Sequence, residues 1–171
     1  MMAHNQGTGK VICIHGPPLS GKTYLINQIL NEFDDFYTIN YEMFFNPNIP
    51  TIMNYNKFYD YAYDSMHKSN LILESAYNRI TSPHYNQNIP VPHFSVLCWP
   101  NVSIHQDRVD AFRILAGNSL THRRIGSLNI RHSRQAYTAQ WHAYGAIKTN
   151  IIFTGENVNE VKEGIKAYVF S

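Results

Sequence analysis

The chain has 171 residues, 44% apolar and 15% charged, which suits one globular unit with its own core and argues against disorder. Its two cysteines form no C-x-x-C pair and its nine histidines include no i,i+4 pair, so neither a disulfide framework nor a helical metal site is expected. No apolar run reaches the length of a membrane span, and the first residues lack a signal peptide's basic-then-apolar pattern. The expected location is therefore cytoplasmic, in a host's cytoplasm if the source is viral.

Taken in order, Lys10–His15 (KVICIH) predicts a buried strand, and Leu25, Ile26, Ile29, Leu30 and Phe33 then recur on one helical face. Phe36–Asn40 predicts a second strand, and Asn46-Pro47-Asn48-Ile49-Pro50 a loop, because proline restricts itself and its predecessor. Ile52, Tyr55, Tyr59, Tyr63 and Met66 return at helical intervals. Leu71–Ser75 and Phe94–Cys98 predict a third and a fourth strand around a Pro- and Asn-rich stretch. Asn101 or Ser103 caps a helix bearing Val109, Phe112 and Leu115 that stops near Gly117. Residues 119–146 are basic, polar and weakly periodic. Thr149–Thr154 predicts a last strand, and Val158, Val161, Ile165 and Tyr168 a last helix capped by Asn157. Five core-type strands joined by helical crossovers imply a mostly parallel α/β sheet covered on both faces.

The net charge of +2 conceals an asymmetry. From Ala111 to Gly155 there is no Asp or Glu, while Arg113, Arg123, Arg124, Arg131, Arg134 and Lys148 contribute +6, leaving −4 on the rest. Such a one-sign block is the footprint of a polyanion-binding surface or a solvated basic face.

Between the first strand and the first helix lies Gly16-Pro17-Pro18-Leu19-Ser20-Gly21-Lys22-Thr23, a complete G-x-x-x-x-G-K-[ST] loop in its proper strand-to-helix context. Main-chain N–H groups of such a loop surround phosphates, and the following helix directs its positive end at them. Lys22 is expected at the β- and γ-phosphates, and the Thr23 hydroxyl on Mg²⁺. ATP and Mg²⁺ are thus the expected ligands. The metal also needs an acid at the end of an apolar strand. Glu74, after Leu71-Ile72-Leu73, fits that role. Transfer to a hydroxyl needs a proton acceptor, and Glu42 follows the second strand on the side where open α/β sheets bind ligands.

With these motifs the chain resembles small P-loop kinases of the polynucleotide-kinase and zeta-toxin-like branch. The resemblance runs from Lys10 to Tyr168 and is specific at the P-loop. It implies one P-loop kinase domain over residues 1–171, a five-stranded, mainly parallel sheet in the order 2-3-1-4-5 inside an α/β/α sandwich, and a basic lid over roughly 113–146. Asn40-Tyr41-Glu42-Met43-Phe44-Phe45 looks like the family segment N-R-D-D-x-x-R, placing Glu42 as general base and Phe45 where an arginine is common. Leu73-Glu74-Ser75-Ala76-Tyr77-Asn78-Arg79 looks like the family's third strand and turn, with Glu for Asp, and makes Arg79 an acceptor contact. His105–Arg113 looks like the helix with spaced arginines, which puts Arg108 and Arg113 on the nucleotide side. Arg123 and Arg124 then lie in the lid, where guanidinium charge suits a transferring phosphoryl group.

The expected activity is transfer of the ATP γ-phosphoryl group to a hydroxyl of a nucleic acid or nucleotide. A terminal 5′-hydroxyl fits, and so does the hydroxymethyl group of a modified pyrimidine in DNA, as in phage-type hydroxymethyluridine DNA kinases. Tyr55, Phe58, Tyr59, Tyr61 and Tyr63 offer aromatic surface beside Glu42, although Tyr55, Tyr59 and Tyr63 share a stripe that suits a core. Tyr61 points elsewhere and is the stacking candidate. One alternative is a kinase for a small metabolite, nucleoside monophosphate or drug, and another a non-catalytic nucleotide-binding module. A guanine-nucleotide switch is not indicated, since Asn56-Lys57-Phe58-Tyr59 misses N-K-x-D at its last position.

Overall fold

A computed structural model of the chain describes residues 9–75, 90–119, 128–144 and 149–170. The strands are β1 (Val11–His15), β2 (Phe36–Asn40), β3 (Asn70–Ser75), β4 (Phe94–Cys98) and β5 (Ile151–Phe153), paired in the order β2-β3-β1-β4-β5. Every recorded pairing is parallel, which is the expected order and sense. All five β1 residues are buried, as befits a parallel strand flanked by neighbours and covered on both faces.

The helices are α1 (Lys22–Glu32), α2 (Thr51–Ser65), α3 (Val102–Ala116), α4 (Ile130–Tyr144) and α5 (Val158–Tyr168). Side chains alternate along the central strands, so each strand feeds two cores. Ile12, Ile14, Ile72, Phe94 and Val96 pack with Leu25, Ile26 and Ile29 of α1 and Val161 and Ile165 of α5. Val11, Leu71 and Leu73 face the opposite way and pack with Tyr55, Phe58, Tyr59, Ala62 and Met66 of α2. Burying one such large side chain contributes on the order of 2 kcal/mol. Gly164 lets α5 approach the sheet, since a Cβ there would stand 2.5 Å from the Phe94 ring.

The helix ends follow local chemistry. Asn101 caps α3, its Oδ1 accepting from the Ile104 amide at 2.9 Å, and Gly117 ends the helix with a φ of 54°. Asn157 precedes α5 but spends its side chain on the preceding turn, accepting from the Thr154 amide and donating to Ile152 O.

Besides Asn157, whose side chain does not cap α5, the structure differs from the sequence expectation in three places. The last strand is shorter than Thr149–Thr154. Leu115 and Tyr168, expected on core faces, are exposed in the C-terminal turns of α3 and α5, although the Tyr168 ring still stacks on Phe94 at 5.6 Å. Within the weakly periodic stretch 119–146, α4 is a fifteen-residue helix. Among its described side chains, Ile130, Ser133 and Tyr137 are buried, a polar-containing stripe that an apolar-only pattern does not register.

Candidate active site

The loop between β1 and α1 is shaped by its glycines. Gly16 has a φ of 153°, and a Cβ on it would stand 2.5 Å from Cys98 O. Gly21 has a φ of 100°, in the left-handed region, and its Cβ position lies 2.7 Å from Arg108 Nη1. Leu19 adopts a φ of 61°, uncommon for a non-glycine residue, at the crest of the loop. Ser20 is fully buried, and its hydroxyl has no hydrogen-bond partner among the described residues.

Lys22 lies across the loop, its Nζ donating to Gly16 O at 2.8 Å and Pro17 O at 2.9 Å. Burial lowers its pKa, against the opposing pull of the Glu74 and Glu42 carboxylates. Thr23 donates from Oγ1 to Glu74 Oε1 at 3.3 Å. Register explains the meeting: Glu74 lies opposite Ile14 of β1 and Asn40 of β2, so three strand ends finish side by side at the mouth of the loop. Burial also raises the Glu74 pKa, although Lys22 and the Thr23 hydroxyl partly offset it.

Asn40 links the two acids. Its Nδ2 donates to Glu74 Oε2 at 3.0 Å, and its Oδ1 accepts from the Glu42 amide at 2.8 Å, capping the short 3₁₀ turn Tyr41–Phe44. Glu42 is exposed on that turn, close enough to act electrostatically on both Lys22 and Glu74.

Arg108, from α3, brings its guanidinium over Gly21, with Nη2 3.3 Å from the Cβ position of Gly155. Its Nη1 is buried without a hydrogen-bond partner among the described residues. Arg113 is not brought to the loop. Five residues further on, it has turned by about 140° around the helix. There it pairs with Asp110 at 3.9 Å on the exposed face. Tyr55, Phe58 and Tyr59 are core residues, which settles their stripe as packing. Tyr61 is 43% exposed, with its ring 5.3 Å from Phe44. Arg79, Arg123 and Arg124 lie outside the described residues.

The donor set fits a nucleotide with a hard cation. The unpartnered Ser20 hydroxyl and Arg108 Nη1 line a loop that offers main-chain amides, an ammonium and a helix N-terminus, all suited to phosphate oxygens. Thr23 and Glu74 offer two oxygens 3.3 Å apart, the sparse protein share typical of Mg²⁺ that takes its other ligands from phosphate and water. Mg²⁺ would supply charge neutralisation between the β- and γ-phosphates and hold Glu74 ionised.

Comparison with solved structures decides the architecture. A protein from Chloroflexus aurantiacus provisionally assigned as a kinase is 14% identical with a TM-score of 0.56, the match covering 96% of this chain and 98% of that one. A sugar kinase from Janibacter sp. is 12% identical with a TM-score of 0.59, covering 95% of each chain. The fold is that of a P-loop kinase. An uncharacterized protein from Eubacterium ventriosum is 9% identical with a TM-score of 0.56, the match covering 95% of this chain and 99% of that one. Identities this low carry the fold alone. No family model and no curated protein matches the chain.

Sequence reasoning missed several residues around this P-loop. Asn40 had a readable signal, an Asn two residues before a Glu at a strand end, which is the pattern of a side-chain cap. His15, His105, Arg134 and Tyr137 sit behind the loop. Their sequence neighbourhoods show only a strand end, a helix and a basic stretch, because the partners are far apart in the chain.

Proposed function

We propose that the chain is an ATP-dependent kinase that transfers the γ-phosphoryl group to a hydroxyl of a nucleic acid or nucleotide, the Gly16–Thr23 loop with Mg²⁺ holding the donor. One observation carries the reading: Lys22, Thr23, Glu74 and Glu42 converge at three adjacent strand ends, with Asn40 fixing the spacing of the two acids. Lys22 neutralises the phosphate oxygens once it exchanges its two loop carbonyls for them. Thr23 and Glu74 hold the metal side. Glu42, exposed and free of the metal-side bonds that occupy Glu74, accepts the proton of the acceptor hydroxyl. Arg108 contacts the nucleotide with its unpartnered Nη1.

The one-sign block from Ala111 to Gly155 supports a polyanionic acceptor, with Arg79, Arg123 and Arg124 as further contacts. Tyr61, half exposed beside the Glu42 turn, supports base stacking. A second reading has one specific observation in its favour. Phe45, 36% exposed, leaves the acceptor side without the family's arginine, which suits a small uncharged hydroxyl compound of the kind the Janibacter sugar kinase is named for.

Labelled ATP incubated with 5′-hydroxyl oligonucleotides, hydroxymethyluracil-containing DNA, nucleosides and sugars separates the two. Label is expected on a nucleic acid or nucleotide, and Glu42→Gln is expected to lower kcat by about a hundredfold or more with the MgATP affinity little changed. Label confined to sugars or other small neutral alcohols overturns the nucleic-acid acceptor.

A further inference from the structure

Helix α4 does not simply lie on the helical layer; it grips the back of the phosphate-binding loop at three points. Leu19, at the crest, packs against a cluster of Val109, Leu128 and Ile130 where α4 begins. One turn into α4, Arg134 Nη1 donates to Pro100 O at 2.8 Å and to His105 Nδ1 at 3.3 Å. A guanidinium has no acceptor, so Nδ1 of His105 is the bare nitrogen and Nε2 carries the proton. That Nε2–H donates to Pro18 O at 2.9 Å. Further along α4, the Tyr137 hydroxyl bonds His15 Nδ1, on the residue directly before Gly16. Trp99 fills the space between, with Arg134 4.1 Å above its ring and Tyr137 5.9 Å away. His15 and His105 are fully buried, so both bonds are made where water does not compete.

The loop needs outside support. Pro17 and Pro18 carry no N–H, so the main chain of these two residues can be held only through their carbonyl oxygens. Pro17 O receives the Ser20 amide at a long 3.3 Å and shares Lys22 with Gly16 O. Pro18 O receives His105. If Lys22 leaves its carbonyls for phosphate, the His105 bond is, among the described residues, the side-chain hydrogen bond that still holds the crest, beside the apolar packing of Leu19. We propose that Arg134, acting through His105, and Tyr137, acting through His15, are positioning residues that keep the Pro18–Gly21 crest in its phosphate-receiving shape, so that α4 and the loop move as one unit. This rests on the reading that Gly16–Thr23 binds a nucleoside triphosphate.

The test compares backbone amide exchange at Leu19, Ser20 and Gly21 with calorimetric MgATP binding in Arg134→Met, Arg134→Lys, His105→Leu and His105→Gln. Gln places an amide nitrogen near the former Nε2, so it restores the donor to Pro18 O without the acceptor for Arg134. In Arg134→Met and His105→Leu, exchange at the three crest amides is expected to rise at least tenfold and MgATP Kd about tenfold, with the Val11–Ile14 amides unchanged. His105→Gln is expected to recover most of the loss in His105→Leu. Crest exchange that stays at the wild-type rate while only α4 amides speed up overturns the proposal, because α4 is then packed against the loop without governing it. Should the two drastic variants fail to fold, Arg134→Lys decides instead: its shorter side chain without the planar fork is expected to raise exchange at the crest amides several-fold, and crest exchange at the wild-type rate in that variant overturns the proposal. Wild-type protein that binds no MgATP overturns the nucleotide reading, and crest exchange still decides whether α4 governs the loop.

Discussion

On the proposed reading, the donor and acceptor sides of the site are built in opposite ways. On the donor side the polar groups point at one another through short bonds: Lys22 on Gly16 O and Pro17 O, Thr23 on Glu74, His105 on Pro18 O. On the acceptor side Glu42 stands on a four-residue 3₁₀ turn, flanked by exposed Met43 and half-exposed Phe45 over an aromatic floor of Tyr41 stacked 4.1 Å from Tyr55. The donor side is fixed by main-chain geometry that few sequences can adopt, whereas the acceptor side is a side-chain surface on a short turn that many sequences can reshape. Phosphoryl donors differ little, and acceptors differ widely. A scaffold that holds the first rigidly and varies the second suits that imbalance.

The contrast breaks most sharply at Lys22. Lys22→Ala is expected to reduce transfer at least a thousandfold, measured with labelled ATP, while thermal unfolding stays within a few degrees of wild type, since the side chain serves only the loop. A near-normal rate in a folded variant would remove the donor side as assigned.

Asn40 is where the two sides join. Asn40→Ala removes the bond to Glu74 and the cap on the Glu42 turn together, and a lost cap costs about 1 kcal/mol. The expected result is a fall in kcat of about tenfold or more, accompanied by a several-fold higher Mg²⁺ requirement. A change in kcat with an unaltered Mg²⁺ titration would show that Asn40 serves the acceptor side alone.

The smallest effect concerns stability and pH. Burial, with Lys22 nearby, lowers the His15 pKa from its ordinary 6.5 to about 3. The folded chain therefore holds His15 neutral while the unfolded chain protonates it. Its contribution is whole above about pH 6.5 and is lost progressively as the pH falls toward about 3. The slope reaches about 1.4 kcal/mol per pH unit for one proton. Denaturant midpoints taken in the upper part of that window, above the carboxylate range, should decline with falling pH, and His15→Gln should flatten the decline.

Much of the fold could be read from the sequence because its signals are local. β2 and β4 fall on the expected boundaries, and Leu25, Ile26 and Ile29 bury the face their spacing indicates. The P-loop was legible for the same reason: eight contiguous residues specify both the turn and the ligand. Tertiary pairing is what the sequence does not show. Glu74 and Asn40 meet across β3 and β2, and Arg134 reaches Pro18 only through His105, three segments far apart in the chain. A single sequence offers no periodicity for such a chain of bonds. Arg108 and Arg113 looked equivalent by composition, and only the rotation of α3 separates the one over Gly21 from the one paired with Asp110.

The resting place of the Lys22 ammonium has a consequence for which anions the pocket admits. An ammonium seated between two carbonyl oxygens keeps its charge but has two of its three donors already engaged. An incoming anion must displace that seating before it gains the cation. A lone monovalent ion offers too little in exchange, whereas a chain of linked phosphates can spread across amides, ammonium and metal at once. If the loop binds a nucleotide as proposed, the seating of Lys22 favours linked phosphates over chloride or single phosphate ions, and discrimination begins with a side chain of the loop itself.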